Sequence, residues 1–213
     1  MSPSTTLSCA ALLALCLPSV AGLRALVLHG KGGTGASTAA LVRPLLPAGA
    51  EIVSPDGPHA AGRRGFSWWT LPLGQRSYEA TEWEGVAESI ALCDGLGEFD
   101  VVVGHSQGAM LAAILLARGR LGHGPYCGAG VLSGAAWPLP FADLIEAFPA
   151  GAGPAPRTLH SLSEVDTVNP PAQALQLAEA MGGQVLRHTL GHVIPGKDPQ
   201  AAAALSSFLA SAE

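Results

Sequence analysis

A pentapeptide near the middle of the chain, Gly104-His105-Ser106-Gln107-Gly108, limits the possible folds more than any other segment. It follows the apolar run Val101 to Val103 and precedes a helix-like stretch from Ala109 to Arg118. A Gly-x-Ser-x-Gly between a buried strand and a helix predicts a sharp turn that exposes the serine hydroxyl at the carboxyl end of a sheet. Glycines suit this turn because the backbone angles are unusual and strand and helix approach closely. Ser106 is therefore the candidate nucleophile; the alternative is an ordinary strand-to-helix turn.

The composition is that of one folded domain. The chain has 213 residues, of which 48% are apolar and 13% charged, and this argues against intrinsic disorder of its main part. The net charge of -5 and the scattered basic residues argue against nucleic acid as a partner, since phosphate binding needs clustered Lys and Arg. The sequence contains no internal repeat and no zinc-type cysteine pairing.

The first 21 residues have the pattern of a secretory leader. Leu7 to Leu17 is apolar except for Ser8, and Ser19-Val20-Ala21 supplies small residues for a cut after Ala21. The run is shorter than the about 20 apolar residues of a membrane span. We therefore predict a leader over 1–21, a domain over 22–213 and entry into the secretory pathway. No Lys or Arg precedes the run. An apolar extension packed on the domain and a plastid-type address stay open, and the protein would be cytoplasmic without a working leader.

Cutting after Ala21 would leave two of the four cysteines, Cys93 and Cys127. In an oxidising compartment these two could form a disulfide, and otherwise they could be buried thiols. The sequence does not decide between these alternatives.

Strand-like and helix-like segments alternate along the domain. The predicted strands are Leu23 to His29, Glu51 to Val53, Val101 to Val103, Ala129 to Leu132, Arg157 to Leu162 and Gln184 to Leu190. The predicted helices are Ala36 to Leu46, Glu79 to Leu96, Ala109 to Arg118, Pro171 to Met181 and Pro199 to Leu209. This order predicts an α/β fold with one mostly parallel sheet covered by helices on both faces.

Two segments do not fit the alternation, Pro58 to Arg76 and Ala135 to Pro156. Both are predicted to be connections at the rim of the active site, where α/β folds place binding loops, although the second could equally be an ordinary surface loop. The first contains Trp68 and Trp69, which we predict to line or cover a substrate site. Packing on the core is the alternative for one of them.

A catalytic serine needs a base and an acid that orients the base. In α/β-hydrolases the acid and then the histidine follow the serine along the chain. Asp166 follows the strand that ends at Leu162, and His192 follows the strand that ends at Leu190. Both are predicted to lie on loops at the same end of the sheet as Ser106, so we predict a Ser106, Asp166, His192 triad.

Several residues compete for these roles. Glu164 is the alternative acid, whereas Asp143 is interpreted as a helix N-terminal residue. His105 adjoins the nucleophile, but its side chain is expected to point away from it. Four further histidines lie in strands or turn-rich segments, namely His59, His123, His160 and His188.

The oxyanion of the intermediate needs backbone donors. Gln107 N–H is the first candidate, and Lys31 N–H, in the glycine-rich loop after the first strand, is the second. That loop, Gly30 to Ser37, also resembles a variant phosphate-binding loop. Ala36 stands where the second lysine is required, which disfavours nucleotide binding.

Together, several segments resemble the FSH family of serine hydrolases over residues 24–209. They are Leu28-His29-Gly30, Phe66-Ser67-Trp68-Trp69, the segment Phe99 to Ala109, Leu132-Ser133-Gly134, Asp166-Thr167-Val168 and Gly191-His192-Val193-Ile194-Pro195. The resemblance implies a small α/β-hydrolase fold that uses Ser106, Asp166 and His192 on carboxylic esters or thioesters without a cofactor. The chain departs from the family at Lys31 to Gly35, where Gln or Asn is usual, and at His105, where Phe is frequent. Most members also lack a secretory leader.

The sequence thus predicts a serine esterase, with thioester cleavage as a variant, acting on a small molecule and needing no metal. Two alternatives remain, a non-catalytic relative that binds an acyl ligand and a nucleotide binder. A membrane span is not expected, and the oligomeric state is not indicated.

Overall fold

The structure is a computed structural model that describes residues 22–126, 128–152 and 155–212. The leader predicted over 1–21 and Cys127, the possible partner of Cys93, lie outside the described residues. The leader therefore remains a prediction, and the state of Cys93 stays open between the two alternatives. None of the described helices combines the length and the apolar character that a membrane crossing requires.

Six parallel strands form the central sheet, in the order β2-β1-β5-β6-β7-β8, and β3 and β4 form a separate antiparallel hairpin. The strands are β1 Arg24–Leu28, β2 Glu51–Val53, β3 His59–Ala61, β4 Gly65–Ser67, β5 Val101–His105, β6 Ala129–Ser133, β7 Thr158–Ser163 and β8 Gln184–His188. After β2 the chain crosses β1 and builds the rest of the sheet on its other side. A crevice therefore opens between the carboxyl ends of β1 and β5, where α/β folds bind ligands.

Helices cover both faces of the sheet, which confirms the predicted fold class. They are α1 Gly35–Val42, α2 Val86–Asp94, α3 Gln107–Arg120, α4 Ala142–Glu146, α5 Pro171–Ala180 and α6 Pro199–Ala210, with short 3₁₀ turns at Arg43–Leu45, Leu139–Phe141 and Phe148–Ala150. Residues of α1 and α6 belong to one apolar cluster, and residues of α2 to α5 belong to the other.

Successive side chains of β1 belong alternately to the two apolar clusters. Ala25 and Val27 point to the α1 and α6 face, whereas Leu26 and Leu28 point to the opposite face. Helix α3 is buried from Gln107 through Ala117. Such a helix needs apolar or small side chains all round rather than one apolar stripe, and its sequence supplies them.

Two sequence-based boundaries are corrected by the structure. The segment 58–76 contains the β3–β4 hairpin, whereas it had been predicted only as a connection or insertion. The helix predicted from Glu79 begins at Val86, because Gly85 just before it has a left-handed φ of 79°. Trp83 lies in the part of the predicted helix that does not form. Its side chain is buried and its ring stacks on Trp69, with the ring centroids 3.8 Å apart.

Candidate active site

Ser106 occupies a strained turn between β5 and α3. Its φ of 54° and ψ of -118° make it the one non-glycine residue with a positive φ in the described part of the chain. Such a conformation costs about 1–3 kcal/mol and persists only where surrounding structure enforces it. The Ser106 N–H donates to the Ser133 carbonyl at 2.8 Å, which ties the turn to the end of β6. This geometry presents the serine side chain at the carboxyl edge of the sheet.

The two glycines of the pentapeptide permit this close packing. A β-carbon at Gly104 would lie 2.4 Å from the Gly108 carbonyl oxygen, and one at Gly108 would lie 2.4 Å from the Leu28 carbonyl oxygen. Both contacts are with backbone atoms, which cannot move aside easily. Glycine is therefore required at both positions, because α3 packs closely against β5 and β1.

The structure brings Asp166 and His192 together, as predicted. The His192 Nδ1–H donates to Asp166 Oδ2 at 2.6 Å. The other carboxylate oxygen, Oδ1, accepts the N–H groups of Val168 at 2.8 Å and Asn169 at 3.0 Å. The Asp166 side chain is 3% exposed, so the carboxylate is buried and held by three hydrogen bonds. It can fix the ring orientation of His192 and stabilise its protonated form.

The alternative acids lie elsewhere. The Glu164 side chain is 55% exposed and lies 3.8 Å from the Arg187 guanidinium. Asp143 lies in the first turn of α4, as its sequence context indicated. Of the three candidates, only Asp166 contacts His192.

Ser106 and His192 lie in the same crevice. A β-carbon at Gly30 would be 3.2 Å from the Ser106 β-carbon and 3.0 Å from His105 Nδ1. The His105 ring in turn packs against the His192 ring. His192 Nε2 is buried and has no hydrogen-bond partner among the described residues. The hydrogen bond from Ser106 Oγ to this nitrogen, which proton transfer requires, is therefore not formed in the structure, and no other described group occupies the nitrogen.

The His105 ring packs against the His192 ring, a contact that the sequence did not indicate. The centroids of the His105 and His192 rings are 5.0 Å apart, with an angle of 46° between the planes. His105 shares the strand face of Val101 and Val103, and the loop after β8 folds over this end of that face. Burial, followed by the nearby His192, lowers the pKa of His105 to about 4.

The predicted oxyanion donors are both available. Neither the Gln107 N–H nor the Lys31 N–H has an acceptor among the described residues. The loop that carries Lys31 is joined to the β3–β4 hairpin, since Gly32 N–H donates to the Phe66 carbonyl at 2.8 Å and Phe66 N–H donates to the Gly33 carbonyl at 2.9 Å. The hairpin thus holds the loop in place.

His29 also shapes this loop, a role that the sequence reasoning missed. Its buried ring accepts the Gly57 N–H at Nε2, over 2.9 Å, and therefore donates from Nδ1 to the Gly30 carbonyl at 2.8 Å. Burial lowers the pKa of His29, which favours this neutral tautomer. A histidine directly before the glycine of the loop was the available sequence signal.

Trp68 and Trp69 lie in the core, where neither side chain has any exposed surface. The Trp68 ring stacks on His29 and its Nε1–H donates to the His29 carbonyl at 2.8 Å. The structure therefore assigns both tryptophans to packing rather than to the predicted lining of the substrate site. Core packing was the alternative considered for one of them, and it applies to both.

The side chain of Gln107, in the pentapeptide, supports the segment that carries the two tryptophans. Its Oε1 accepts the Trp68 N–H at 2.8 Å, and its Nε2 donates to the Trp69 carbonyl at 3.0 Å. One buried amide thus satisfies two main-chain groups of an irregular segment. The N–H of Gln107 itself, the first predicted oxyanion donor, takes no part in these bonds.

The N-terminus of α1 is arranged unfavourably for a phosphate. The Asp56 carboxylate already accepts the Gly35 N–H at 2.7 Å, and a negative charge at this place repels a second anion. Among the described residues, no group of three or more His, Cys, Asp or Glu side chains is placed to hold a metal ion.

A cavity of about 530 Å³ borders His192 and lies between α1 and the loop after β8. We call it the His192 groove. Its walls are mainly apolar and are formed by Thr38, Ala40, Leu41, Pro44, His105, Leu190, His192, Val193, Ile194, Pro195, Gly196 and Lys197. Its size is within the range of small-molecule sites.

Comparison with known proteins identifies relatives of this chain. A family model described as serine hydrolase (FSH1) matches residues 20–204. The chain is similar to Esterase OVCA2 of Bos taurus, with 31% identity over 72% of this chain and 72% of that protein. It is likewise 31% identical to Esterase OVCA2 of Homo sapiens over 62% of this chain and 63% of that protein.

Solved structures share the fold at lower sequence identity. Esterase PE8 has 23% identity and a TM-score of 0.67, covering 91% of this chain and 94% of its own. SOBER1 of Arabidopsis thaliana has 17% identity and a TM-score of 0.66, covering 90% and 99%. Acyl-protein thioesterase 2 of Zea mays has 18% identity and a TM-score of 0.58, covering 88% and 94%.

Proposed function

The chain belongs to the serine hydrolase (FSH1) family, and from this premise we propose that it hydrolyses carboxylic esters through an acyl-enzyme on Ser106. The observation that carries the proposal is the buried Asp166–His192 pair beside the strained turn of Ser106. A buried carboxylate that holds a histidine close to a partly accessible serine is the arrangement required for nucleophilic catalysis.

In the acylation step, Ser106 Oγ attacks the ester carbonyl carbon as its proton passes to His192 Nε2. The carbonyl oxygen becomes an oxyanion, which the N–H groups of Gln107 and Lys31 would stabilise. His192 then gives the proton to the alcohol oxygen as its bond to carbon breaks. The alcohol departs, and the acyl group remains on Ser106.

Deacylation reverses the roles with water in place of the alcohol. His192 removes a proton from the attacking water, a second oxyanion forms, and the proton returns to Ser106 Oγ as the acid leaves. The Asp166 carboxylate stays ionised and stabilises the imidazolium in both steps. No redox partner is required, and the balance is one ester plus water to one acid plus one alcohol.

The proposal extends to thioesters as an alternative substrate class. Relatives of this chain are named esterases, and one similar structure is titled a thioesterase, so the names favour esters first. The steps above hold equally when the leaving atom is sulfur. Parallel kcat/KM measurements on an ester and a thioester with the same acyl group would rank the two classes.

Ser106→Ala is the direct test of the mechanism. The purified variant should not hydrolyse p-nitrophenyl esters and should not react with a fluorophosphonate probe, whereas the unmodified protein should do both. Hydrolysis by the correctly folded variant would refute the acyl-enzyme. A folded wild-type protein that neither hydrolyses esters nor takes the probe would favour the alternative of a non-catalytic acyl-ligand binder.

We also propose that residues 1–21 direct the chain into the secretory pathway, on the strength of the apolar run and the small residues before Gly22. N-terminal sequencing of the protein expressed in a eukaryotic host should begin at Gly22. A mature protein that keeps Met1 to Ala21 would contradict this.

A further inference from the structure

The His192 groove concentrates exposed apolar side chains. Leu41 is 52% exposed, Leu190 47% and Val193 41%. These are three of the eight large apolar side chains that are exposed in the described part of the chain, and all three line this one cavity. An apolar cavity that borders a catalytic residue is a candidate for part of the substrate.

The position of the groove indicates which part of the substrate it takes. In the proposed mechanism, the leaving oxygen must come within hydrogen-bond reach of His192, because His192 protonates it. His192 is in the groove wall, whereas Ser106, which carries the acyl group, lies outside that wall. The alcohol side of an ester is therefore nearer to the groove than the acyl side.

We propose that the His192 groove binds the apolar alcohol portion of the substrate, so that leaving-group specificity is set between α1 and the loop after β8. The inference rests on the proposed function of Ser106. Its occupant is an aliphatic or other uncharged apolar alcohol.

The side chains of the wall disfavour a charged occupant. Lys197 lines the groove and is exposed, so it opposes a positively charged alcohol. The rest of the wall is mainly apolar, which favours an uncharged group over an anion.

Two substrate series test the proposal. One series varies the alcohol on a fixed acid, as methyl, butyl, hexyl and octyl butyrate; the other varies the acid on a fixed alcohol, as methyl butyrate to methyl decanoate. We expect kcat/KM to rise by up to about fourfold for each methylene of the alcohol that becomes buried, and to depend less on the acid. A steep dependence on the acid with none on the alcohol would overturn the proposal.

A matched pair of variants tests whether the groove causes the dependence of kcat/KM on alcohol length. Leu41→Glu, on the groove wall, should reduce the slope of kcat/KM with alcohol length, whereas Leu73→Glu should change neither series. Leu73 is a fully exposed leucine on a loop away from the groove, and it controls for adding an acidic group. A change in the acid series alone for Leu41→Glu would refute the assignment.

Two outcomes separate this inference from the proposed function. If the wild-type protein hydrolyses neither series and takes no fluorophosphonate label, the proposed function fails. If it is labelled and hydrolyses both series without any dependence on the alcohol, only the role of the groove fails. Should Leu41→Glu not fold, the wild-type series alone still decides.

Discussion

Replacing Asp166 by Asn tests whether Asp166 orients His192, the proposed catalytic base, or only packs against it. The Asn side chain has nearly the same shape, and its carbonyl oxygen can keep the bonds from the Val168 and Asn169 N–H groups. Its amide nitrogen, however, would face His192 Nδ1 as a donor. His192 would then carry its proton on Nε2 and could not accept one from Ser106.

The expected loss is large because the hydrogen bond of 2.6 Å is replaced by one that enforces the wrong tautomer. The equivalent change in a well-studied triad lowers kcat about 10⁴-fold, which corresponds to about 5 kcal/mol of transition-state stabilisation. We expect a loss of this order for Asp166→Asn. The assay is kcat for p-nitrophenyl butyrate hydrolysis, with circular dichroism to verify that the variant is folded.

Glu164→Gln is the matched control. Glu164 is exposed and lies 3.8 Å from the guanidinium of Arg187, an arrangement worth no more than about 1 kcal/mol to stability. Its kcat should stay within about twofold of wild type. A loss of only a few-fold in folded Asp166→Asn, or a comparable loss in Glu164→Gln, would refute the assignment of Asp166 as the acid of the triad.

Three further predictions concern buried groups. Gln107→Leu should lower the free energy of unfolding by about 2–6 kcal/mol in urea titrations, because it leaves the Trp68 N–H and the Trp69 carbonyl unpaired. A loss below about 1 kcal/mol would contradict a stabilising role for these two hydrogen bonds. Burial lowers the pKa of His160 to about 4, so between pH 4 and 6.5 the unfolded chain binds a proton at this residue more readily than the folded chain does. The contribution of His160 to the free energy of unfolding is therefore fully present above pH 6.5 and is lost as the pH falls toward 4, at no more than about 1.4 kcal/mol per pH unit. His160→Gln should flatten this dependence of the unfolding free energy on pH, and an unchanged dependence would argue against the assignment. Burial raises the pKa of the Cys93 thiol to about 12. In protein that has first been reduced, iodoacetamide should therefore label the Cys93 peptide only after unfolding, as peptide mass mapping can verify; rapid labelling of the native reduced protein would contradict its burial.

Strands buried on both faces were predictable because their signal is local. Val101 to Val103 and Ala129 to Leu132 are short apolar runs bounded by turn residues, and both are strands in the structure, with β5 and β6 extending one or two residues further. The hairpin of β3 and β4 gave no such signal. Its residues, His59-Ala60-Ala61 and Gly65-Phe66-Ser67, have weak strand preference, and the pairing depends on contacts with the loop at Gly32 and Gly33.

The tryptophans show a limit of interpreting aromatic residues in loops. Trp68 and Trp69 follow a turn-rich segment, which predicted exposure near a ligand. The structure buries them because the Gln107 side chain satisfies their main-chain groups and because Trp83, distant in sequence, stacks on Trp69. Neither partner can be identified from the residues around Trp68.

The order of the six sheet strands, the turn that carries Ser106, and the candidates for the acid and the base could be predicted from the sequence alone. These follow from local chemistry, since glycine spacing, apolar runs and chain order are all properties of neighbouring residues. Tertiary packing is needed to show that Asp166 rather than Glu164 contacts His192, that His105 packs against His192, and that an apolar groove borders His192. Those outcomes depend on how the loops after β5, β7 and β8 meet at one edge of the sheet, and that meeting is fixed by packing among residues far apart in the chain.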